Sequence, residues 1–330
     1  MNIAEIARLA GVSSAAVSRY FNNGYISEEK RARIKKVVEE TGYRPSLQAQ
    51  TLRTRKTKLV GLVLPKIDSA AAMGNVVAGV LATLNETGYH VLLADTQNDP
   101  GKELEYLTFF NEKQVDGVIL VATVFTASHK KTLKEMAVPV VIVGQKLSGY
   151  HCVYHDDYHA IYDITRRLLE RGRRNLGYVG VFHQDKAVGL ERYCGYADAV
   201  KAWGLEALAR RHVTAGFTME SGYEKAGELM ERHGGLDGIV CATDSIAVGV
   251  MKYLKEKGIE IPGTVAVTGQ GDSMLSQVVT PALTTIRYSY EESGRLAAVM
   301  LLEMLEKKKR GMKEIKLGYS LVERESTMAE

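Results

Sequence analysis

A chain of 330 residues exceeds one typical core and points to two or three domains. With 45 % apolar and 25 % charged residues it has an ordinary globular composition. No apolar run approaches the roughly 18 residues of a membrane span, and the opening MNIAEIARLAG carries no export signal, so a cytoplasmic protein is expected. Cys152, Cys194 and Cys241 are too scattered for a disulfide framework or a metal site and read as free thiols.

The net charge of +4 is unevenly placed: residues 1–58 hold 12 Lys and Arg against 5 Asp and Glu, leaving 31 against 34 in the remainder. A basic module ahead of a mildly acidic body suggests a polyanion bound at one end. IAEIARLA, at 3–10, places Ile3, Ile6, Ala7 and Ala10 on one helical face. Gly11 permits a tight turn, and Ser13 suits the N-cap of a second helix, SAAVSRYF, with Val17 and Tyr20 or Phe21 inward. Ser27 suits the cap of a third helix, whose inner face is Ile34, Val37 and Val38 and which stops at Thr41-Gly42.

Two short helices around a glycine turn, closed by a third, predict a helix-turn-helix module over residues 1–45. The second helix of such a module enters the major groove. Its outward residues are Ser13, Ser14, Ala15, Ser18, Arg19 and Asn22. All but Arg19 are short, so the backbone can approach base edges while one guanidinium reaches a guanine or a phosphate. Residues 46–58, SLQAQTLRTRKTK, follow Pro45; a helix of about seven residues there is marginal alone.

From Leu59 the pattern becomes short apolar strands between helices. Strands are predicted near 59–64, 89–95, 115–122, 138–144 and 152–156, and a second series near 175–181, 236–243, 264–269 and 283–288. Runs apolar on both faces indicate α/β architecture, two doubly wound parallel-sheet subdomains with a ligand at the strand ends and in the cleft between them.

The blocks IAEIARLAGVSSAAVSRYFNN and YISEEKRARIKKVVEETGYRPS resemble the headpiece of the LacI/GalR family of bacterial regulators, and the body is similar to that family's periplasmic-binding-protein-like fold. GRRNLGYVG, GLERYCGY, CATDSIAVGVMKYL and GQGDS are most similar to its sucrose and trehalose operon repressors. Two departures stand out: Ala16 replaces the family's usual threonine, and Ser46 its usual asparagine. The resemblance implies that 46–58 is a hinge helix formed on DNA, with Leu52 wedged into the minor groove and Ser46, Ala49 and Arg53 beside it. It implies a body, 59–330, divided into subdomains of about 59–157 plus 288–316 and about 160–286 plus 319–330.

For a sugar effector, Lys66, Asp68 and Ser69 follow the first strand, Gln145 the fourth, and Phe182 ends a strand of the second series. Arg192 matches the arginine that family members place on a sugar hydroxyl or phosphate, and Phe217 stands where the family often stacks an aromatic ring. Asp244 follows VCAT and Asp272 follows GQG. Each has a plainer reading: Asp244 also suits the N-cap of helix 245–257, Asp272 a glycine-rich turn, and Arg192 an ion pair with Glu191 or another carboxylate. Gln145 stands where a sugar-phosphate-binding relative carries arginine. This favours an unphosphorylated, sucrose-like disaccharide, with trehalose or a sugar phosphate next.

Nothing supports catalysis or a cofactor. GQGDS lacks the third glycine of a dinucleotide loop, and neither a phosphate-binding G-x-x-x-x-G-K-[ST] nor a G-x-S-x-G elbow occurs. His151, His155 and His159 are four apart, but on a predicted strand that spacing separates them by about 13 Å per step, so no metal is expected. The sequence therefore predicts a homodimeric repressor that binds operator DNA and is controlled allosterically by a sugar. The rival is a sugar receptor without DNA function.

Overall fold

The computed structural model describes residues 1–22, 24–43, 56–67, 71–112, 115–306 and 311–328. It divides into two compact units, Met1–Thr57 and Lys58–Glu330. Among its described residues the first holds three helices, α1 (Ile3–Ala10), α2 (Ser14–Phe21) and α3 (Glu28–Thr41). Asn2 and Glu5 form a reciprocal capping box on α1, and Gly11 ends it with φ 62°, a left-handed conformation that glycine adopts without strain. Ser13 caps α2 by accepting from the Ala16 N–H at 3.2 Å. Ser27 holds the cap position of α3, but its side chain makes no capping hydrogen bond.

Ile6, Ala7, Ala10, Ala16, Val17, Ile26 and Ile34 form the small core of this unit. Tyr20 and Phe21 both join its margin, edge to face at 5.2 Å, so the alternative between them resolves to both. The expected hinge-helix residues Ser46, Ala49, Leu52 and Arg53 lie outside the described residues.

In the second unit, β1 (Leu59–Leu64), α4 (Ala71–Asn85), β2 (His90–Asp95), α5 (Pro100–Asn111), β3 (Gly117–Val121), α6 (Ala127–Glu135), β4 (Val140–Val143) and β5 (His151–His155) follow in order. With β11 (Glu314–Leu317) these strands build a parallel six-stranded sheet, order β11-β5-β4-β3-β1-β2. Both its faces are covered. Val60, Leu62, Ile119, Val121, Val141 and Val143 pack on one side, and Val63, Val118, Leu120, Val140 and Ile142 on the other. That alternation within unbroken apolar runs is the physical basis of the parallel-sheet expectation.

The second sheet, β7-β6-β8-β9, is also parallel: β6 (Leu176–Gly180), β7 (His212–Thr214), β8 (Gly238–Cys241) and β9 (Ala266–Thr268). Its helices are α7 (Asp157–Glu170), α8 (Arg192–Ala202), α9 (Met219–Arg232), α10 (Asp244–Glu256) and the short α11 (Met274–Val278). One expected strand behaves differently. β10 (Thr285–Tyr288) pairs antiparallel with β12 (Tyr319–Val322) in a separate ribbon. Arg287 is exposed between buried Ile286 and Tyr288, the alternation of a half-covered ribbon and not of a buried strand.

The chain passes between the two sheets after β5, after β10 and between β11 and β12. After β10 it enters α12 (Tyr290–Leu305), which packs on α4. Gly79 and Gly294 lie where these helices meet: a Cβ on Gly79 would stand 1.9 Å from the Glu291 carbonyl oxygen, and one on Gly294 2.1 Å from that of Val76. Among the described residues no helix is long and apolar enough to cross a membrane.

Candidate nucleic-acid interface and effector cleft

In the first unit, α2 buries Ala16 and Val17 and turns its remaining face outward. Ser13, Ser14, Ala15, Arg19 and Asn22 are exposed, and Ser18 is half-buried. Asn22 curls back to the Ser18 carbonyl, tying down the end of the helix. Ala16, the departure from the resembling pattern, belongs to the core and offers nothing to a ligand. Tyr25, 92 % exposed in the segment after α2, was missed by the helix-face reading because it lies on no helix. An aromatic after Asn-Asn-Gly was the available signal.

The cleft is assembled at the carboxyl ends of strands from both sheets. Lys66 follows β1, Asn98 follows β2, Phe217 follows β7, Thr243 and Asp244 follow β8, and Gln270, Gly271 and Ser273 follow β9. Met73 of α4, Val188, Arg192 and the first residue of α12, Tyr290, complete a cavity of about 150 Å³. Of the expected effector residues, Lys66, Arg192, Phe217 and Asp244 are brought together here.

Arg192 is positioned by a turn of π-helix, Lys186–Glu191, whose N-cap Asp185 accepts from the Val188 N–H at 2.9 Å. Gly189 is required there, since a Cβ would stand 2.1 Å from the Phe182 carbonyl oxygen. Arg192 is 4 % exposed. It reaches Asp157 with Nε at 2.7 Å and a terminal nitrogen at 2.5 Å, donates to the Ala242 carbonyl, and lies 5.1 Å from the centre of the Tyr288 ring. The ion-pair reading of Arg192 is thus correct in kind, but its partner is Asp157 and not Glu191.

Asp244 does not cap its helix: Thr243 does, accepting from the Ile246 N–H at 3.2 Å. The Asp244 carboxylate accepts from the Thr285 hydroxyl at 2.5 Å and the Ser273 N–H at 2.7 Å. Burial raises its pKa above the ordinary carboxylate range, against these two donors. Beside it, Gln270 accepts from the Tyr288 hydroxyl at 2.5 Å, while its buried Nε2 has no partner among the described residues.

Three expected residues lie elsewhere. Asp272, with φ 48°, turns away from the cleft, and its carboxylate is taken by Arg287 and Arg324 at 2.5 Å each; it lines a separate outer cavity. The turn reading of Asp272 therefore describes its geometry. Gln145 donates to the Thr123 carbonyl and lies 3.3 Å from the Asp185 carboxylate; it lines a small separate cavity with His155 and Glu191. Burial pushes the Asp185 carboxyl up to about 7. Phe182 stands edge-on to Phe217, ring centres 5.7 Å apart, as support for that ring and not as cleft lining. Asp68 and Ser69 are outside the described residues.

The sequence reading missed Asp157, Thr243 and Gln270. The Ser/Thr preference at N-caps is the signal for Thr243; Gln270 lies within GQGDS, two residues before the aspartate that the strand-end pattern singles out. The three histidines do not converge. His151 accepts from the Lys313 N–H at 3.2 Å, His159 pairs with Asp156 at 2.9 Å, and His155 packs between Tyr288 and Tyr290 at 5.0 and 5.2 Å.

Residues 2–46 match the family described as Bacterial regulatory proteins, lacI family, and residues 165–327 the Periplasmic binding protein-like domain. A sucrose operon repressor of Staphylococcus xylosus is 32 % identical over 92 % of this chain and 94 % of its own. Two solved structures are similar: a transcriptional regulator CelR–cellobiose complex, 27 % identical with TM-score 0.75 over 99 % of both chains, and the trehalose repressor from Escherichia coli, 26 % identical with TM-score 0.71 over 80 % of this chain and 99 % of that one.

Proposed function

Because this chain belongs to the LacI family of bacterial regulatory proteins, we propose that it is a homodimeric, cytoplasmic transcriptional repressor whose operator affinity is set by an uncharged disaccharide. It is a DNA-binding regulator and not an enzyme. Residues 1–45 read the major groove through Ser13, Ser14, Ala15, Ser18, Arg19 and Asn22, with Tyr25 beside them, and 46–58 form the hinge with Leu52 as wedge. The body, 59–330, binds the effector between its two sheets.

The observation that carries the effector class is the charge state of the cleft. Its one buried arginine is already paired with Asp157, leaving Lys66 as the remaining cation among the described lining residues. A phosphate is ordinarily held by several cations and bidentate guanidinium bonds. A neutral sugar asks instead for what is present: the Asp244 carboxylate, the Gln270 Nε2, which has no partner among the described residues, and the Phe217 ring. Sucrose, trehalose and cellobiose, the sugars in the names of the three proteins compared above, are uncharged disaccharides, and sucrose is expected first. Support for a dimer comes from β2, an edge strand with Leu92 and Leu93 exposed by 37 % and 46 %, which a second copy would cover.

Sugar in the cleft favours one arrangement of the two sheets, alters the approach of the hinge segments and lowers operator affinity; operator then weakens sugar binding by the same factor. A thermal-shift panel of the three disaccharides and their phosphates tests the effector class, since a native-state ligand raises the melting temperature. Stabilisation by the phosphates alone would overturn the neutral-sugar reading. Operator affinity measured with and without the sugar tests the sign, and tighter binding would make the sugar a corepressor.

A further inference from the structure

The two sheets of the second unit also meet away from the effector cleft. Gln145, which follows β4 of the first sheet, lies 3.3 Å from the carboxylate of Asp185, which follows β6 of the second. Gln145 is 3 % exposed and Asp185 2 %. The cavity of about 40 Å³ that Gln145 lines takes Ala187 and Glu191 from the π-helical turn, whereas the effector cleft is lined by Val188 and Arg192.

The hydrogen bonds of this contact do not balance. The Gln145 Nε2 faces two acceptors, the Thr123 carbonyl and the Asp185 carboxylate. Its buried Oε1 has no partner among the described residues. Asp185 accepts from the Val188 N–H at 2.9 Å but forms no ion pair among the described residues. The nearby Arg192 guanidinium is already engaged by Asp157 and the Ala242 carbonyl. The other charged groups around the pair are Lys146, Lys186 and Glu191, which line the cavity with His155, a ring that burial keeps neutral. What the contact lacks is a donor. A proton on Asp185 supplies one, because the acid donates where the carboxylate only accepts. Burial favours the same proton, pushing the carboxyl up to about 7 from the ordinary 3.8.

We propose that Asp185 and Gln145 form a proton-controlled latch between the two sheets: protonated Asp185 holds them in the arrangement in which both walls of the cleft reach the sugar, and ionised Asp185 releases them. The latch rests on the disaccharide reading above. When the sheets part, water reaches the carboxyl and its hold on the proton weakens. Sugar favours the latched arrangement and is therefore taken up together with a proton, so acid strengthens its binding.

The test is calorimetric titration of the full-length protein with sucrose, trehalose and cellobiose at pH 6 and pH 8. For the sugar that binds most tightly, wild-type affinity should be about tenfold higher at pH 6, as expected for one carboxyl held near 7 in the latched state. Asp185→Asn keeps the cap on the π-helical turn and carries a permanent donor; it should bind at pH 8 as tightly as wild type does at pH 6. Gln145→Ala admits water to the carboxyl, and its affinities at the two pH values should agree within about twofold. A role confined to capping the turn would leave the tenfold ratio intact in Gln145→Ala, which overturns the latch. A tenfold ratio that persists in Asp185→Asn also overturns it, since the proton then belongs to Asp244 in the cleft or to another group. If either variant fails to fold, the other decides. Equal wild-type affinities at pH 6 and pH 8 overturn the latch alone. A wild-type protein that binds none of the three sugars at either pH overturns the disaccharide reading, and the latch with it.

Discussion

The two proposed binding surfaces are built on opposite principles. The α2 face is convex, and Ser13, Ser14, Ala15, Arg19 and Asn22 stand exposed on a three-helix core to which they contribute nothing apolar. The cleft is concave, and Arg192 and Asp244 are 4 % and 2 % exposed, with their charges engaged by Asp157, the Ala242 carbonyl, Thr285 and Ser273. An exposed side chain such as that of Ser14, Ala15 or Arg19 can be exchanged without touching the fold, whereas Ser13 and Asn22, which fasten the two ends of α2, and the buried pair of the cleft serve the fold as well. On the proposed reading, one operator can therefore be exchanged for another through Ser14, Ala15 and Arg19 at little structural cost. A change of sugar has to pass through residues on which the second unit depends.

The sharpest way to break this contrast is Arg192→Met, which strands the Asp157 carboxylate in a buried site. It should cost about 3–5 kcal/mol of stability, read from the urea midpoint, and abolish sugar binding. Adding Asp157→Leu should return most of the stability and none of the binding. A single variant as stable as wild type would show that Arg192 serves the ligand alone. Burial without a ligand to serve is sampled by Glu103 on α5, 3 % exposed and 3.4 Å from the His129 ring of α6. Burial pushes its carboxyl up to about 7 from the ordinary 4.5. Because the folded value is the higher one, the stability it lends is complete below pH 4.5 and is lost as pH rises through 7. Glu103→Gln should therefore melt like wild type near pH 4 and gain about 2 kcal/mol by pH 8. A loss at pH 8 would mean that Glu103 and His129 hold a favourable charged pair.

What was legible in the sequence follows the same division. The helix-turn-helix could be read because its signals are local: cap residues, Gly11 and the inward spacing of Ile6, Ala10 and Val17 lie within one or two turns of each other. The parallel sheets were legible from unbroken apolar runs. β11, with Glu314 and Lys316 alternating with Ile315 and Leu317, and the three-residue β7 were not, because these two strands, unlike the edge strands β2 and β9, carry too short an apolar run. In the cleft, candidates after strands were found, but which of two neighbours faces inward depends on a backbone angle. Asp272 was expected there, and its positive φ turns it to Arg287 and Arg324, leaving Gln270 to line the cavity. No spacing rule connects Arg192 to Asp157, 35 residues away.

On the convex side, Arg19→Ala should weaken operator binding by about tenfold, as expected for one lost guanidinium contact, and leave the melting temperature within the scatter of surface substitutions. A specific-site loss with unchanged nonspecific binding would assign Arg19 to a base; equal losses, with a shallower salt slope, would assign it to a phosphate.

Gln270→Leu asks the same question inside the cleft, where the expected change in stability is smallest. The substitution removes an acceptor from the Tyr288 hydroxyl, which costs about 1 kcal/mol, but it also removes a buried donor that has no partner, which gives back a comparable amount. The net effect on stability should be close to zero, unlike that of Arg192→Met. If the amide serves the sugar, affinity for the stabilising disaccharide falls about five- to tenfold, as for one lost neutral hydrogen bond. A stability loss of about 2 kcal/mol with unchanged sugar affinity would place Gln270 among the structural residues. The cleft would then hold its ligand through groups that all serve the fold as well, and its contrast with the α2 face would be complete.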